Sequence, residues 1–93
     1  MLTVNEYFDG KVKSIGADNS NGKQTVGVMV AGDYEFGTSE YEYMNLVSGA
    51  WEVKLPGSSE FVKYEQGSTF EVEANQKFQL KVSEKSVYLC RYE

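Results

Sequence analysis

Apolar and polar residues alternate along much of this chain, which is the pattern of β-strands with one buried face. In "WEVKL", Trp51 to Leu55, the apolar residues alternate with Glu52 and Lys54. The same period of two appears from Phe78 to Val82 and from Thr25 to Ala31. Strict alternation over about five residues or more predicts half-buried strands. No window has the apolar stripe of a helix, so the pattern predicts an all-β chain.

Short segments that favour turns separate these strands. They contain Gly, Asn, Asp, Ser or Pro, the residues that tight turns tolerate. Short strands separated by turns every 8–12 residues or so are typical of a sandwich or barrel. We find no internal repeat and no linker, so we expect one β-barrel domain over residues 1–93. The turn segments are "DNSNG" (18–22), "AGD" (31–33), "SG" (48–49), "PGSS" (56–59), "QGS" (66–68) and "EANQ" (73–76).

Composition and charge exclude several classes of protein. The net charge of −5 and the pI of about 4.7 would repel a phosphate backbone, so we expect no nucleic-acid partner. Cys90 is the one cysteine, which excludes an internal disulfide and suits a reducing compartment. The start of the chain is unlike a signal peptide, and no apolar run is long enough to span a bilayer. We expect a cytoplasmic protein without a membrane partner.

The segment from Gly32 to Gly49, "GDYEFGTSEYEYMNLVSG", has the rhythm of the first cupin motif. In that motif a Gly-led strand delivers two histidines, and then a Glu that is separated from a later Gly by six residues. Glu42 and Gly49 keep this spacing, but Phe36 and Thr38 stand at the histidine positions, and the chain contains no histidine. A transition-metal site needs three or four convergent ligands, mostly His, Cys, Asp or Glu. Glu35 points away from Phe36 on a strand, so the nearby glutamates would not converge, and we expect neither metal nor cofactor.

A small barrel of this kind has room for one small ligand. A carboxylate inside it is either satisfied by a neighbouring donor or used on a ligand hydroxyl, and the sequence leaves both interpretations of Glu42 open. The phase of the motif predicts the inward-pointing residues as Tyr34, Phe36, Thr38, Glu42 and Met44, with Phe78 facing them.

Two tyrosines stand on the opposite face from Glu42 and Met44. They are Tyr41 and Tyr43, and exposed aromatic residues of this kind are enriched at protein interfaces. A small barrel also commonly protects its sheet edges by pairing with a second copy. We therefore expect a homodimer. The alternative is that most of the tyrosines only complete a small core.

The whole chain resembles the small bacterial cupins known as pyrimidine/purine nucleoside phosphorylases. The order and spacing of the matching segments agree from end to end. Departures occur in turns and at the last residue, where "EAN" (73–75), "AGD" and Glu93 replace the family's usual residues. The segments that carry the resemblance are "NEYFDGKVKSIG" (5–16), "VGVMVAGDYEFGT" (26–38), "EYMNLVSGA" (42–50), "YEQGSTFEV" (64–72) and "SVYLCRYE" (86–93).

This resemblance implies phosphorolysis of purine and pyrimidine nucleosides, giving free base and ribose 1-phosphate, by a dimer. The transition state of such glycosyl transfers has oxocarbenium character. For phosphate, the candidates are Lys13, with Ser14 beside it, and Arg91, although each charge could be a solvated one. For ribose, we expect Glu42 and Thr38, so that Glu42 and Lys13 are the predicted catalytic residues.

For the base, the residues expected to stack are Tyr34, Phe36 and either Tyr88 or Tyr92, a contact that tolerates different heterocycles. Alternation places Tyr88, Cys90 and Tyr92 on one face and Arg91 on the other, and the sequence does not say which face is inward. Without a histidine, no strong general acid is available, so we expect modest turnover.

Two other functions fit the same residues. One is a metal-free cupin that binds a nucleoside or sugar without catalysis, in which Lys13→Ala and Arg91→Ala would leave affinity unchanged. The other is an interaction module, in which changes at Tyr41 or Tyr43 would matter and Glu42→Gln would not.

Overall fold

The structure is a computed structural model that describes residues 2–93. Within that range the chain forms strands and turns but no helix, as the period-two pattern predicted. Ten strands follow one another: β1 (Val4–Tyr7), β2 (Val12–Gly16), β3 (Gln24–Met29), β4 (Gly32–Gly37), β5 (Glu42–Ser48), β6 (Trp51–Lys54), β7 (Val62–Tyr64), β8 (Thr69–Val72), β9 (Lys77–Val82) and β10 (Ser86–Tyr92).

The strands form two antiparallel sheets. The larger has the order β1-β2-β3-β10-β5-β8, and the smaller has the order β4-β9-β6-β7. The chain crosses between the sheets after β3, β4, β5, β7, β8 and β9, so that neighbours in a sheet are mostly distant in sequence. Two face-to-face sheets connected in this way form the cupin-type fold, and the predicted all-β cupin fold is confirmed.

The core lies between the two sheets and is built by the alternation seen in the sequence. In β6, Trp51 and Val53 are buried, whereas Glu52 between them is exposed. In β9, Phe78 and Leu80 are buried in the same way. Each buried large apolar side chain contributes about 1.5–3 kcal/mol to the free energy of unfolding. The inward face of each strand is therefore fixed by burial.

Two positions in the fold require glycine. Gly49 follows β5 with φ of 118°, a left-handed conformation, and a Cβ there would lie 2.7 Å from Cβ and 2.9 Å from Cα of Ser86. This contact explains why the cupin spacing ends on glycine. Gly27, in the middle of β3, lies beneath the ring of Tyr88, its partner in β10. A side chain at position 27 would collide with that ring.

Among residues 2–93 the structure contains no helix with the length and apolar character needed to cross a membrane.

Candidate functional site

A cavity of about 730 Å³ lies between the larger sheet and strands β4 and β9 of the smaller one. Its walls come from β1, β2, β3, β5 and β10 on one side and from β4 and β9 on the other, with loop residues at one end. Small-molecule sites typically have volumes of ~300–1,000 Å³ and are lined by apolar and aromatic groups with a few polar ones. The cavity has the size and lining of such a site.

The register of the larger sheet arranges the cavity wall in rows. One row joins Ser14 of β2, Gly27 of β3 and Tyr88 of β10. The middle row joins Thr25, Cys90 and Met44. The outermost row joins Tyr92 and Glu42, which pair across β10 and β5. Alternation along each strand brings these side chains into the same cavity.

Lys23 completes the outermost row. Its carbonyl oxygen accepts a hydrogen bond from the amide of Tyr92 at 3.0 Å, and its Nζ lies 4.9 Å from the centroid of the Tyr92 ring. Nζ also lies 2.6 Å from Oε2 of Glu40, and the two side chains are 53% and 38% exposed. We call this exposed end of the cavity, formed by Lys23, Glu40, Glu42 and Tyr92, the mouth.

Glu42 is the half-buried carboxylate of the cavity. The thiol of Cys90 donates a hydrogen bond to its Oε1 at 3.5 Å. Burial raises the pKa of Glu42 above its ordinary value, and this effect outweighs the thiol hydrogen bond and the charge of Lys23, which lower it. A buried carboxylate with one weak donor retains capacity to accept further hydrogen bonds. A ligand hydroxyl is the natural donor for it.

The neighbouring groups on this wall are neutral at physiological pH. Burial raises the pKa of the Cys90 thiol well above its usual range, so it is not a thiolate nucleophile. Burial also raises the pKa of Tyr88 to about 12 and raises that of Tyr92, whose hydroxyl lies 3.3 Å from Oγ1 of Thr25. This part of the wall therefore presents hydroxyl and thiol groups beside the carboxylate of Glu42.

Six of the residues predicted from the sequence line this cavity. Phe36 and Phe78 form the opposite wall as a stacked pair with ring centroids 5.7 Å apart. The others come from the larger sheet: Ser14, Glu42, Met44 and Tyr88.

Four predicted residues lie elsewhere. Lys13 and Arg91 are exposed on the outer face of the larger sheet, opposite the side that holds Ser14 and Cys90. Tyr34 and Thr38 are buried but do not line the cavity.

The hydroxyls of Tyr34 and Thr38 are used inside the fold. The hydroxyl of Tyr34 donates to the carbonyl of Val30 at 2.7 Å. Thr38 Oγ1 donates to the carbonyl of Glu73 at 2.6 Å and accepts from the amide of Gln76 at 3.0 Å. The Thr38 side chain thereby ties the end of β4 to the turn between β8 and β9.

Sequence reasoning missed Lys23. Among residues 2–93 it is the one cationic side chain on the cavity wall, beside the carboxylates Asp18, Glu40 and Glu42. It precedes β3, so strand alternation does not place it. Its position follows from the pairing of β3 with β10, which links residues 57–67 positions apart.

Within the described part of the chain, no three His, Cys, Asp or Glu side chains are grouped so that they could hold a metal ion. Glu40 and Glu42 lie at the mouth, whereas Glu35 is exposed on β4 and accepts a hydrogen bond from Gln79 at 2.7 Å.

Comparison with known proteins places this chain in a family. The family model for pyrimidine/purine nucleoside phosphorylase matches residues 2–92. A pyrimidine/purine nucleoside phosphorylase of Pseudomonas aeruginosa is 60% identical over 92 residues, covering 99% of each chain. A crystal structure from Vibrio parahaemolyticus, of a protein given as of unknown function, is 41% identical with a TM-score of 0.95 and covers 100% of this chain and 99% of that one.

The fold itself extends to more distant proteins. An RmlC-like cupin from Shewanella frigidimarina superposes with a TM-score of 0.75 at 11% identity, covering 97% of this chain and 81% of that one. At this identity the likeness concerns the cupin fold alone.

Proposed function

The chain belongs to the pyrimidine/purine nucleoside phosphorylase family, and we propose that it cleaves nucleosides with inorganic phosphate. The bond between C1′ of ribose and the base nitrogen breaks, its electron pair leaves with the base, and an oxygen of hydrogen phosphate bonds to C1′. The proton of the hydrogen phosphate passes to the base, directly or through water. The products are the free base and ribose 1-phosphate, so the enzyme is a pentosyltransferase. The observation that carries this proposal is Glu42, a half-buried carboxylate at the mouth of a nucleoside-sized cavity.

Glu42 binds the ribose in this proposal. Its carboxylate accepts hydrogen bonds from the 2′- and 3′-hydroxyls, for which it has free acceptor capacity beside the Cys90 thiol. As C1′ gains positive charge, a carboxylate held close to the sugar stabilises the transition state more than the ground state. Partial burial strengthens this electrostatic effect, because the local dielectric is below that of water.

The aromatic walls bind the base. Phe36 and Phe78 lie on one side of the cavity, and Tyr88 and Tyr92 lie on the other. Stacking on such rings does not depend on the hydrogen-bonding edge of a base. The site therefore accepts both purine and pyrimidine nucleosides.

Binding without catalysis is the second candidate. The mouth and its surroundings hold three carboxylates, Asp18, Glu40 and Glu42, and one ammonium, that of Lys23. This excess of negative charge favours a nucleoside over a phosphate dianion. A cupin that binds nucleosides but does not cleave them would have the same walls.

Release of free base distinguishes the two candidates. Uridine, cytidine, inosine, adenosine and guanosine would be incubated with EDTA-treated protein, with and without phosphate, and analysed by chromatography. We expect base release that depends on phosphate. Release without phosphate would identify a hydrolase, and binding without release would leave the second candidate.

A variant at Glu42 tests its assigned role. Glu42→Gln should lower kcat by about 10²–10³-fold, the effect of removing one group that stabilises transition-state charge. Glu52→Gln, an exposed change on β6, is the matched control and should leave kcat unchanged. Equal activity in the two variants would contradict the role of Glu42.

We also propose that the enzyme is a homodimer, joined through the outer face of the larger sheet. Ile15, Val26 and Val28 are 40%, 44% and 41% exposed on that face, and Ile15 pairs with Val26 across β2 and β3. Monomers rarely expose a continuous apolar patch of this kind. Light scattering should show that Val26→Glu dissociates the dimer, whereas Val62→Glu on β7, at a more exposed valine of the other sheet, should not.

The lone thiol supports a cytoplasmic site of action. Cys90 is buried and forms no disulfide, and a chain with a free thiol suits a reducing compartment. Fractionation of cells that express the protein should place its phosphorolytic activity in the cytosolic fraction.

A further inference from the structure

Phosphorolysis requires a subsite for phosphate, and the residues expected from the sequence do not provide one. Lys13 and Arg91 lie on the outer face of the larger sheet, so the sheet itself separates them from the cavity. Ser14 lines the cavity but carries no charge. The cation available within the described cavity wall is Lys23.

The geometry points to Lys23 as the phosphate-binding residue. Without phosphate its ammonium forms an ion pair with Glu40, and bound phosphate replaces that carboxylate. This inference rests on the proposed phosphorylase function. Lys23 and Glu42 share the outermost row of the cavity wall, and Tyr92 lies between them. The amide of Tyr92 donates a hydrogen bond to the carbonyl of Lys23, and Tyr92 is the strand partner of Glu42. One nucleoside-phosphate pair can therefore contact Glu42 through ribose and Lys23 through phosphate.

The surroundings of Lys23 hold its ammonium at the mouth. The ring of Tyr92 lies beneath Nζ, a cation–π contact, and the backbone of Lys23 is hydrogen-bonded to β10. The hydrogen bond to Glu40 raises the pKa of Lys23, so the ammonium is charged at neutral pH, where phosphate is largely a dianion. The site is thus charged and positioned before any ligand binds.

Glu40 is an exchangeable partner for this ammonium. The two side chains meet at 2.6 Å but are 53% and 38% exposed. Ion pairs with this exposure contribute little to stability, because water screens them. A phosphate dianion carries more charge and more acceptor oxygens than one carboxylate, so it competes well for Lys23. Glu40 also limits binding of weaker anions.

Kinetics at varied phosphate test this subsite. Lys23→Met keeps most of the apolar stem and removes the charge, and it should raise the KM for phosphate by ~10–100-fold while the KM for nucleoside changes less than about threefold. Glu40→Gln should lower the KM for phosphate by about two- to fivefold, because a competing anion is gone.

Three control variants test whether cations outside the cavity, rather than Lys23, affect phosphate binding. Lys77→Met removes a lysine that also lies near a glutamate, Glu35 at 4.0 Å, but outside the cavity, and it should leave both KM values unchanged. Lys13→Met and Arg91→Met should do the same. A higher phosphate KM in either of these two variants, with normal kinetics in Lys23→Met, would overturn the inference.

Binding of inorganic phosphate alone separates failure of the subsite from failure of the proposed function. A titration followed by amide NMR should move the signals of Lys23, Glu40 and Tyr92 in the wild type and not in Lys23→Met. Binding at Lys23 without base release would support the subsite and refute phosphorolysis. Phosphate-dependent base release with an unchanged phosphate KM in Lys23→Met would refute the subsite and leave the function intact. If phosphate does not bind and no base is released, both the subsite and the proposed function are refuted.

Discussion

Replacing Gly27 by alanine tests how tightly the row of Ser14, Gly27 and Tyr88 is packed. An ideal Cβ at Gly27 would lie 2.5 Å from both Cε1 and Oη of Tyr88, whereas real Cβ contacts are essentially never shorter than 3.0 Å. The ring must therefore move by about 0.5 Å or more. Its centroid already lies 6.1 Å from that of Trp51, so the movement is directed into the cavity or against the core.

The expected cost follows from two opposing effects. Overpacking a well-filled core lowers the free energy of unfolding by about 1–3 kcal/mol. Replacing glycine by alanine also reduces the conformational entropy of the unfolded chain, which raises the free energy of unfolding by about 0.4–1 kcal/mol. With the middle value of each range, the net destabilisation is about 1.3 kcal/mol, which lowers Tm by roughly 5–10 °C for a domain of this size. Urea and thermal unfolding, followed by the fluorescence of Trp51, measure both quantities.

Gly37→Ala is the matched control for this prediction. It changes another strand glycine, but the nearest atom to its Cβ is the carbonyl oxygen of Gln76 at 3.9 Å, so no collision occurs. We expect unchanged or slightly increased stability. If Gly27→Ala costs less than about 0.5 kcal/mol, or costs as much in a Tyr88→Leu background as in the wild type, the collision with the ring is not the cause.

Three further predictions concern the residues around the mouth and the turn beside it. Glu42→Gln should stabilise the protein at pH 8 but not below about pH 4. Burial raises the folded-state pKa of Glu42, so the wild type loses stability as pH rises through that pKa. Urea unfolding of both proteins at the two pH values checks the sign of this difference. Thr38→Val should lower the free energy of unfolding by about 1–3 kcal/mol, because the backbone groups of Glu73 and Gln76 lose their hydrogen-bond partner. The kcat per folded molecule should stay the same. Loss of activity at normal stability would instead support a role of Thr38 in binding ribose. Cys90→Ala should raise the pKa of Glu42 further and move the acidic limb of the profile of kcat/KM against pH to higher pH, whereas Cys90→Ser, which keeps a donor, should move it less.

Local sequence patterns identified β6, β9 and one wall of the site, but they gave the wrong buried face for β3. There Val26 and Val28 are exposed and Met29 is buried, because the valines lie on the outer face of the larger sheet. Alternation identified the buried faces of β6 and β9, and the cupin spacing placed Glu42 and Met44 on the inward face of β5. These predictions succeed because a strand has a strict period of two, and one buried residue fixes the direction of all its neighbours.

The same rule shows why some predicted residues lie outside the cavity. Lys13 and Ser14 are adjacent, so they cannot both point inward, and burial of Ser14 directs Lys13 to solvent. Tyr88 and Arg91 are three positions apart and also fall on opposite faces. Lys23 was beyond the reach of local patterns, because its place depends on which strand pairs with β3. That pairing is a long-range property of the fold.

The central place of β10 has a consequence for how the protein is made. β10 lies between β3 and β5, yet it comes last among the strands, so the larger sheet cannot close until Ser86–Tyr92 has left the ribosome. Until then β3 and β5 present open edges, which are templates for aggregation. A chain interrupted before β10 should therefore be captured by chaperones or degraded rather than fold. The binding wall and the completed fold appear together, in one late event of synthesis.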